Sequence, residues 1–254
     1  MAGLIVGRSC PMFPRLSTEA PDDVRARVVL ILAGRDGPTA ELAAAVRTTG
    51  EELGRRAGGG GTVRLGVRLP DDPLSQTMGA RGELEPVDGV IEVTAADGTD
   101  ATDAASLVDD VRATLDAHVD GARSAVIAGP CYRFLSDDGA LFIALAGYRD
   151  PGITMEQLSD WWLHRHGPLA LSIVDPLPRA YEQLHADADA SRLASAASGF
   201  PAPGYDMYDT IAIDSLESLT GSVMNPEVAA TLYEDEVGHV DHARLRGAIQ
   251  RTLT

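Results

Sequence analysis

The sequence is short of positive charge. It has 21 Lys and Arg residues against 38 Asp and Glu residues, and its formal net charge is −17. An electrostatic field of that sign repels DNA, RNA and anionic membrane surfaces. We therefore expect no nucleic acid and no membrane among the partners of this protein, and we expect a small molecule instead.

Cysteine and long apolar runs are also scarce. Cys10 and Cys131 are the two cysteines, and neither belongs to a C-x-x-C pair, which excludes a disulfide framework and a cysteine-type zinc site. No stretch approaches the roughly 18 uninterrupted apolar residues of a membrane span. The first residues, MAGLIVGRSCPMF, contain too short an apolar stretch for a signal peptide. These absences predict a cytoplasmic protein.

Several motifs with a known chemistry are missing. There is no G-x-G-x-x-G after a strand, no Walker loop, no G-x-S-x-G elbow and no H-E-x-x-H. His164 and His166 are two residues apart and so lie on different helix faces, whereas metal-binding pairs on helices are three or four residues apart. We therefore expect no metal and no cofactor.

What is present begins with an internal repeat. Residues 28–41 read VVLILAGRDGPTAE and residues 141–156 read LFIALAGYRDPGITME. Each has an apolar run, Leu-Ala-Gly, an Arg-Asp pair, a Gly/Pro turn and a Thr before a helical pattern. Self-similarity of this kind indicates a repeated structural unit.

Hydrophobic periodicity and turn signals give both units the order strand, helix, strand, strand, helix, strand. In the first unit the elements are predicted at 26–33, 39–57, 62–69, 89–95, 102–118 and 122–134, with a long loop over 70–88. In the second unit strands are predicted at 140–146, 179–186, 208–213 and 244–253, with helices from Thr154 and from Asn225-Pro226. We expect Gly167-Pro168 to interrupt the first of these helices, and a loop between the strands at 179–186 and 208–213.

These elements predict an α+β protein made of two fused ferredoxin-like βαββαβ units. Residues 1–24 are predicted to be an N-terminal extension, residues 25–135 a degenerate first unit, and residues 139–254 a second unit that carries the active site.

The second unit resembles the EthD family, named for ethyl tert-butyl ether degradation, within the dimeric α+β barrel superfamily. The matching segments are Trp161-Trp162, His166-Gly167-Pro168-Leu169, Tyr181-x-Gln183, Tyr208-Asp209, Asn225-Pro226-Glu227 and Asp235-Glu236…Val240-Asp241.

The resemblance implies two ferredoxin-like units that pair their sheets into a barrel, with pockets between sheet and helices. Here both units lie in one chain, so it implies an intramolecular pseudo-dimer, and assembly into a further homodimer is left open. Members of the family and its close relatives include polyketide cyclases, decarboxylases, lactone isomerases and cofactor-free monooxygenases, and more distant relatives bind haem.

His166 is the candidate catalytic residue. At 100° per residue it shares one helix face with Leu158 and Trp162, while His164 points toward solvent. A neutral imidazole can accept one proton and return another near neutral pH, which is the requirement of general acid–base catalysis.

The candidate substrate-binding residues are mostly aromatic. Tyr181, Gln183 and His185 alternate along one strand face, and that face lines either a wet cavity or the solvent side of an edge strand. The candidates are Trp162, Tyr181, Gln183, Tyr148, Tyr208 and His239, and Tyr205 and Tyr233 are further tyrosines that could contact a substrate.

The first unit is expected to serve as a scaffold, because alignment of Thr39 with Thr154 places Arg47 at the position of Trp162 and Glu51 at the position of His166.

The leading function is a cofactor-independent lyase, isomerase or cyclase that moves a proton on a small hydrophobic, polyketide-like or aromatic metabolite. The alternatives are a cofactor-free monooxygenase of phenolic or quinol substrates, and a non-catalytic protein that binds haem or another small ligand.

Overall fold

The computed structural model describes residues 20–74 and 87–254. In this part of the chain eight strands pair antiparallel and close into a barrel. The strands are β1 (Val24–Leu32), β2 (Thr62–Arg68), β3 (Gly89–Thr94), β4 (Ala125–Ser136), β5 (Leu141–Gly147), β6 (Ala180–His185), β7 (Met207–Ile213) and β8 (Arg246–Thr252).

Helices cover the outside of the barrel. They are α1 (Ala40–Ala57), α2 (Ala101–Ala104), α3 (Arg112–Leu115), α4 (Met155–Trp161), α5 (Gly167–Ile173), α6 (Ala188–Ser198), α7 (Leu216–Gly221) and α8 (Pro226–Glu236). A π turn, Trp162–His166, joins α4 to α5, and 3₁₀ turns occur at Ala105–Val108 and His242–Arg244. Among the described residues, no helix is both long enough and apolar enough to cross a membrane.

The strand order around the barrel is β1-β3-β2-β8-β5-β7-β6-β4. Strands β1 to β4 with their helices, here called the first half, form one arc, and β5 to β8 with their helices, the second half, form the other. The arcs meet where β2 pairs with β8 and where β4 pairs with β6. The mixed α+β architecture predicted from the sequence is confirmed.

A cluster of buried charges lies inside the barrel. The Glu182 carboxylate accepts hydrogen bonds from Arg27 Nη1 at 2.9 Å and from Arg64 Nη1 at 2.6 Å. Glu92 accepts from Arg64 at 2.7 Å and from the Tyr208 hydroxyl at 2.7 Å. Glu182 belongs to the second half and is bound by arginines of the first half, whereas Glu92 belongs to the first half and is bound by Tyr208 of the second. The cluster therefore links the two halves across the interior. Apolar side chains fill the space around it.

The outer faces of the two arcs differ. In the first half, apolar side chains of α1 such as Leu42, Val46 and Leu53 pack against Leu65 and Ile91 in one continuous core. In the second half, the apolar contacts are divided into two smaller clusters, one around the tryptophans and one around Ile143. That division leaves room for a cavity between the sheet and the helices.

One prediction about the second half was wrong: the connection between β6 and β7 contains α6, which Asp187 caps and which packs Ala190 and Ala194 onto the outer face of the first half. The interruption predicted at Gly167-Pro168 is observed. Helix α4 ends at Trp161, the π turn follows, and α5 begins at Gly167 with Pro168 in its first turn. Residues 1–19 of the predicted extension and residues 75–86 of the predicted loop lie outside the described residues.

Candidate active site

A cavity of about 560 Å³ lies between the outer face of the second half of the sheet and the helices α5 and α8. Most of its wall is aliphatic, and a few polar side chains converge on it, as in typical small-molecule sites. The polar lining residues are His166, Tyr181, Asp209, Tyr233, Glu236 and His242. The apolar lining includes Ile143, Leu145, Leu171, Val174, Ile211, Met224 and Leu245.

The helical run over 155–173 places His166 in the wall. Thr154 and Gln157 form the capping box predicted from the sequence and start α4. The π turn follows, in which the Gly167 N–H donates to the carbonyl oxygen of Trp162. His166 is 7% exposed and faces inward, whereas His164 is exposed. Single π turns of this kind are frequent at functional sites.

A buried carboxylate orients the His166 ring. The distance from His166 Nδ1 to Asp235 Oδ2 is 3.1 Å, and Asp235 Oδ1 also accepts from Arg165 Nε at 2.8 Å. Because a carboxylate can only accept, this contact favours the tautomer with the proton on Nδ1 and leaves the lone pair on Nε2. The nearest acidic atom to Nε2 is Glu236 Oε1, at 3.9 Å. His166 can therefore act as a proton acceptor toward the cavity.

Tyr181 of β6 contributes a phenol to the cavity wall. Its hydroxyl oxygen accepts a hydrogen bond from Gln183 Nε2 at 2.8 Å, and the same amide nitrogen donates to the Trp162 carbonyl at 3.2 Å. The hydroxyl proton is therefore directed away from Gln183. Burial raises the pKa of Tyr181 well above its ordinary value, and the nearby Asp209 raises it further. Tyr181 is thus a neutral donor.

Asp209 of β7 lies opposite Gln183 on β6 and opposite Leu145 on β5. It is 6% exposed, and its Oδ1 atom has no hydrogen-bond partner. Burial raises the pKa of this carboxyl group well above its ordinary value, and the charge of Glu236 adds to the effect. The cavity therefore contains a carboxylic acid that is hard to ionise.

Glu236 and His242 form the outer part of the set of polar side chains that line the cavity. His242 Nε2 lies 2.7 Å from Glu236 Oε2, and the His242 ring contacts Tyr233 with 4.6 Å between centroids. Both members of the Glu236–His242 pair are partly exposed. The cavity thus has acidic groups on two of its sides.

Several predicted residues lie behind the cavity wall. Trp162 is fully buried and stacks on His185 with 4.6 Å between ring centroids. His185 Nδ1 lies 2.9 Å from Ser159 Oγ, and burial lowers the pKa of this histidine to about 3. Gln183 reaches the cavity only through the Tyr181 hydroxyl. The alternating face of β6 is therefore a packed face that exposes Tyr181 to the cavity, and β6 is not an edge strand.

Three other candidate substrate-binding residues lie away from this cavity. Tyr208 points into the barrel, where its hydroxyl donates to Glu92. Tyr148 packs against Tyr205 and under the guanidinium of Arg244. His239 stacks on Trp161, with 4.3 Å between ring centroids, and lines a separate cleft. None of the three lines the cavity that contains His166.

The polar residues that sequence reasoning did not assign to the site are Asp209, Asp235, Glu236 and His242. Asp209 stands next to Tyr208, and neighbouring residues on a strand point to opposite faces. The register of β7 against its two neighbouring strands decides whether Tyr208 or Asp209 faces the cavity. That register cannot be read from a single sequence. The pair Asp235-Glu236 was recognisable only as part of the family pattern.

The described residues contain no group of three or more His, Cys, Asp or Glu side chains that could hold a metal ion. His239 and His242 are three residues apart in the sequence, but His239 contacts Trp161 and His242 contacts Glu236.

Residues 150–243 match the EthD domain family. This match confirms the resemblance indicated by the tryptophan pair and the His-Gly-Pro motif, and it includes all the polar residues of the cavity. No curated protein matches the chain in a sequence search.

Solved structures with the same architecture are distant in sequence. A candidate monooxygenase from Lactobacillus acidophilus NCFM has 11% identity and a TM-score of 0.51, over 90% of this chain and 93% of that one. A candidate monooxygenase from Fusobacterium nucleatum subsp. nucleatum has 8% identity and a TM-score of 0.50, over 91% and 93%. At such identities the likeness shows the fold alone, which is that of the dimeric α+β barrels.

Proposed function

We propose that the protein is a cofactor-independent enzyme that moves a proton on a small hydrophobic carbonyl compound. The observation that carries this proposal is the buried Asp235–His166 pair at the wall of an apolar cavity. A carboxylate that fixes a histidine tautomer, with the other ring nitrogen turned to a cavity, is a common arrangement for a general base.

The chemical step starts with abstraction of a proton from the carbon next to the carbonyl group by His166 Nε2. The electron pair of the broken C–H bond forms a C=C bond, and the carbonyl oxygen takes the negative charge. Tyr181 donates a hydrogen bond to that oxygen, which lowers the barrier in a cavity with mostly aliphatic walls. The imidazolium then returns its proton.

The atom that receives the returned proton decides the reaction. Delivery to another carbon isomerises the substrate, and delivery to a leaving hydroxyl releases water. When the enolate instead attacks a second carbonyl group and closes a ring, the alkoxide that forms takes the proton. Decarboxylation fits less well, because a carboxylate substrate would face the carboxyl group of Glu236 and no arginine among the described lining residues. The sequence also contains no lysine, so a Schiff base on a lysine of this chain is excluded.

Turnover by matched histidine variants tests the proposal. The purified protein is incubated with β-hydroxyketones, β,γ-unsaturated ketones and diketones, and mass spectrometry and NMR report loss of water, isomerisation or ring closure. For a compound that is turned over, His166→Gln should lower kcat by about 10²–10⁴-fold, the usual contribution of a positioned base. His164→Gln, an exposed neighbour on the same helical run, should leave the rate unchanged. Full activity of His166→Gln would refute the role of His166.

A monooxygenase is the second candidate, because the first chemical step is the same. Removal of a proton from a phenol or quinol produces an electron-rich anion that can reduce O₂, so that the substrate gains one oxygen atom and the other leaves as water. The structural neighbours described as candidate monooxygenases share this fold. Oxygen consumption that depends on substrate and on His166 would favour this alternative, and turnover at an unchanged rate without oxygen would exclude it.

The residues of the cavity do not fit haem. Haem carries two propionates, which proteins usually neutralise with cationic side chains. Among the described residues that line the cavity there is no Arg or Lys, and the Nε2 atom that would bind iron lies 3.9 Å from Glu236. We therefore derive no step through haem.

We further propose that the two halves are tandem ferredoxin-like units, with a scaffolding first unit at 25–135 and a catalytic second unit at 139–254. Two observations support this: the strand order within each arc is the same, and the EthD match lies within the second unit. Arg47 and Glu51, the counterparts of Trp162 and His166 in α1, are both exposed.

A further inference from the structure

Asp209 is a buried carboxyl group that faces the cavity, and no Arg or Lys side chain among the described residues lines that cavity. Asp209 is only 6% exposed, and its Oδ1 atom has no hydrogen-bond partner in the part of the chain that the structure describes. The other titratable groups that line the same cavity are His166, Tyr181, Tyr233, Glu236 and His242. Of these, Glu236 and Tyr181 interact electrostatically with Asp209. A buried polar atom without a partner is costly unless a ligand satisfies it.

We propose that Asp209 is held as a neutral carboxylic acid that donates a hydrogen bond, beside Tyr181, to the carbonyl oxygen of an uncharged substrate. This inference rests on the proposed function, and it names the substrate class: neutral ketones or enols, in preference to carboxylates or phosphate esters. A carboxylic acid kept neutral by apolar surroundings can stabilise a developing oxyanion in this way.

The sheet register brings the two donors together. Tyr181 pairs with Ile211 and Gln183 pairs with Asp209, so Tyr181 and Asp209 are diagonal neighbours on the same face of adjacent strands. The Tyr181 hydroxyl already accepts from Gln183, which leaves its proton for a ligand. In the proposed complex, one carbonyl oxygen accepts from both side chains.

The surrounding charges explain why Asp209 stays protonated. Burial raises the pKa of Asp209, and the negative charge of Glu236 raises it further. Ionisation of Asp209 would place a second negative charge in an apolar wall with no arginine among the described lining residues. The same features oppose an anionic ligand, because its charge would add to that of Glu236.

Binding of two probes of similar size tests the proposal without requiring turnover. Isothermal titration calorimetry at neutral pH compares 2-tetralone, a neutral ketone, with 2-naphthoate, an anion. Wild-type protein should bind 2-tetralone at least about tenfold more tightly than 2-naphthoate. Asp209→Asn keeps an uncharged donor and should bind 2-tetralone within about threefold of wild type. Asp209→Leu has no donor and should bind it about tenfold more weakly, the loss of about one hydrogen bond.

Other results would overturn the proposal. If Asp209 were ionised, both variants would bind the ketone more tightly than wild type does, because a repelling charge would be removed. Equal binding of the two probes by wild type, or no binding of 2-tetralone, would also contradict it.

Infrared spectroscopy measures the protonation state directly and remains informative if Asp209→Leu fails to fold. The wild-type spectrum at neutral pH should contain the C=O stretch of a protonated carboxyl group, and the spectrum of Asp209→Asn should lack this band. Absence of the band from the wild-type spectrum would refute the proposal. Raising the pH should weaken ketone binding to the wild type more than to Asp209→Asn. The binding and infrared measurements do not depend on His166. A failure of the proposed proton transfer can therefore be distinguished from a failure of the proposed role of Asp209.

Discussion

Replacement of Glu182 by Gln should destabilise the barrel strongly. Glu182 is 1% exposed and is bound by Arg27, Arg64 and Arg133, all from the first half. The neutral amide would leave Arg27 buried with only Glu92 as a charged partner. Removing one member of a buried ion pair costs about 3–5 kcal/mol. At about 2–4 °C per kcal/mol for a chain of this size, the melting temperature should fall by roughly 10 °C.

Urea unfolding followed by tryptophan fluorescence measures this loss, with the exposed Glu234→Gln as the matched control. The control should change the free energy of unfolding by less than about 0.5 kcal/mol. A loss below about 1 kcal/mol in Glu182→Gln would refute the view that the ion cluster holds the two arcs together.

The effect should also depend on pH. Burial alone would raise the pKa of Glu182, but the charges of Arg27 and Arg64 outweigh burial and hold the pKa well below the ordinary value of 4.5. A lowered pKa in the folded state contributes stability that is complete above the ordinary value and is lost as the pH falls below it. The difference between wild type and Glu182→Gln should therefore shrink between neutral pH and about pH 3.5. A constant difference would contradict the assignment.

Two further substitutions test the site and its support. In Asp235→Asn the amide group can donate to His166 Nδ1, so the ring proton should move to Nε2 and activity should fall by about 10⁴-fold. Nitrogen-detected NMR of the imidazole reports the tautomer. An unchanged tautomer would contradict the role of Asp235. Gly167→Ala would place its Cβ 2.6 Å from Phe134 Cζ, and should lower the unfolding free energy by about 1–3 kcal/mol in thermal melts. Gly54→Ala, with no atom within 4 Å of its Cβ, is the control and should be neutral or stabilising; equal melting temperatures for both variants would refute the packing argument.

Much of the fold could be predicted from the sequence because its local signals agree. The strands predicted at 62–69 and 208–213 correspond closely to β2 and β7, and the caps at Thr154 and Asn225 start α4 and α8. Helix α6 was missed because its composition is mostly Ala and Ser. Its burial pattern of Ala190, Ala194 and Ser198 has the spacing of four typical of a helix, but small residues give a weak hydrophobic signal.

The site was only partly predictable, for a physical reason. Helical spacing was enough to place His166 on a buried face, since that depends on one element. Which of Asp209 and Tyr208 faces the cavity depends on the register of the strands. The contact of His166 with Asp235 depends on how α8 packs against the π turn. Such contacts between distant segments are set by the assembled barrel, so one sequence does not specify them.

Hydrogen–deuterium exchange at the α-carbons of 2-tetralone in D₂O tests the central claim most directly. It reports proton removal by the enzyme without knowledge of the natural substrate. Exchange should be faster with wild-type protein and with His164→Gln than without enzyme. The enzyme-catalysed rate should fall by about 10²–10⁴-fold with His166→Gln. If His166→Gln binds 2-tetralone and exchanges its protons as fast as the wild type, His166 is not the base.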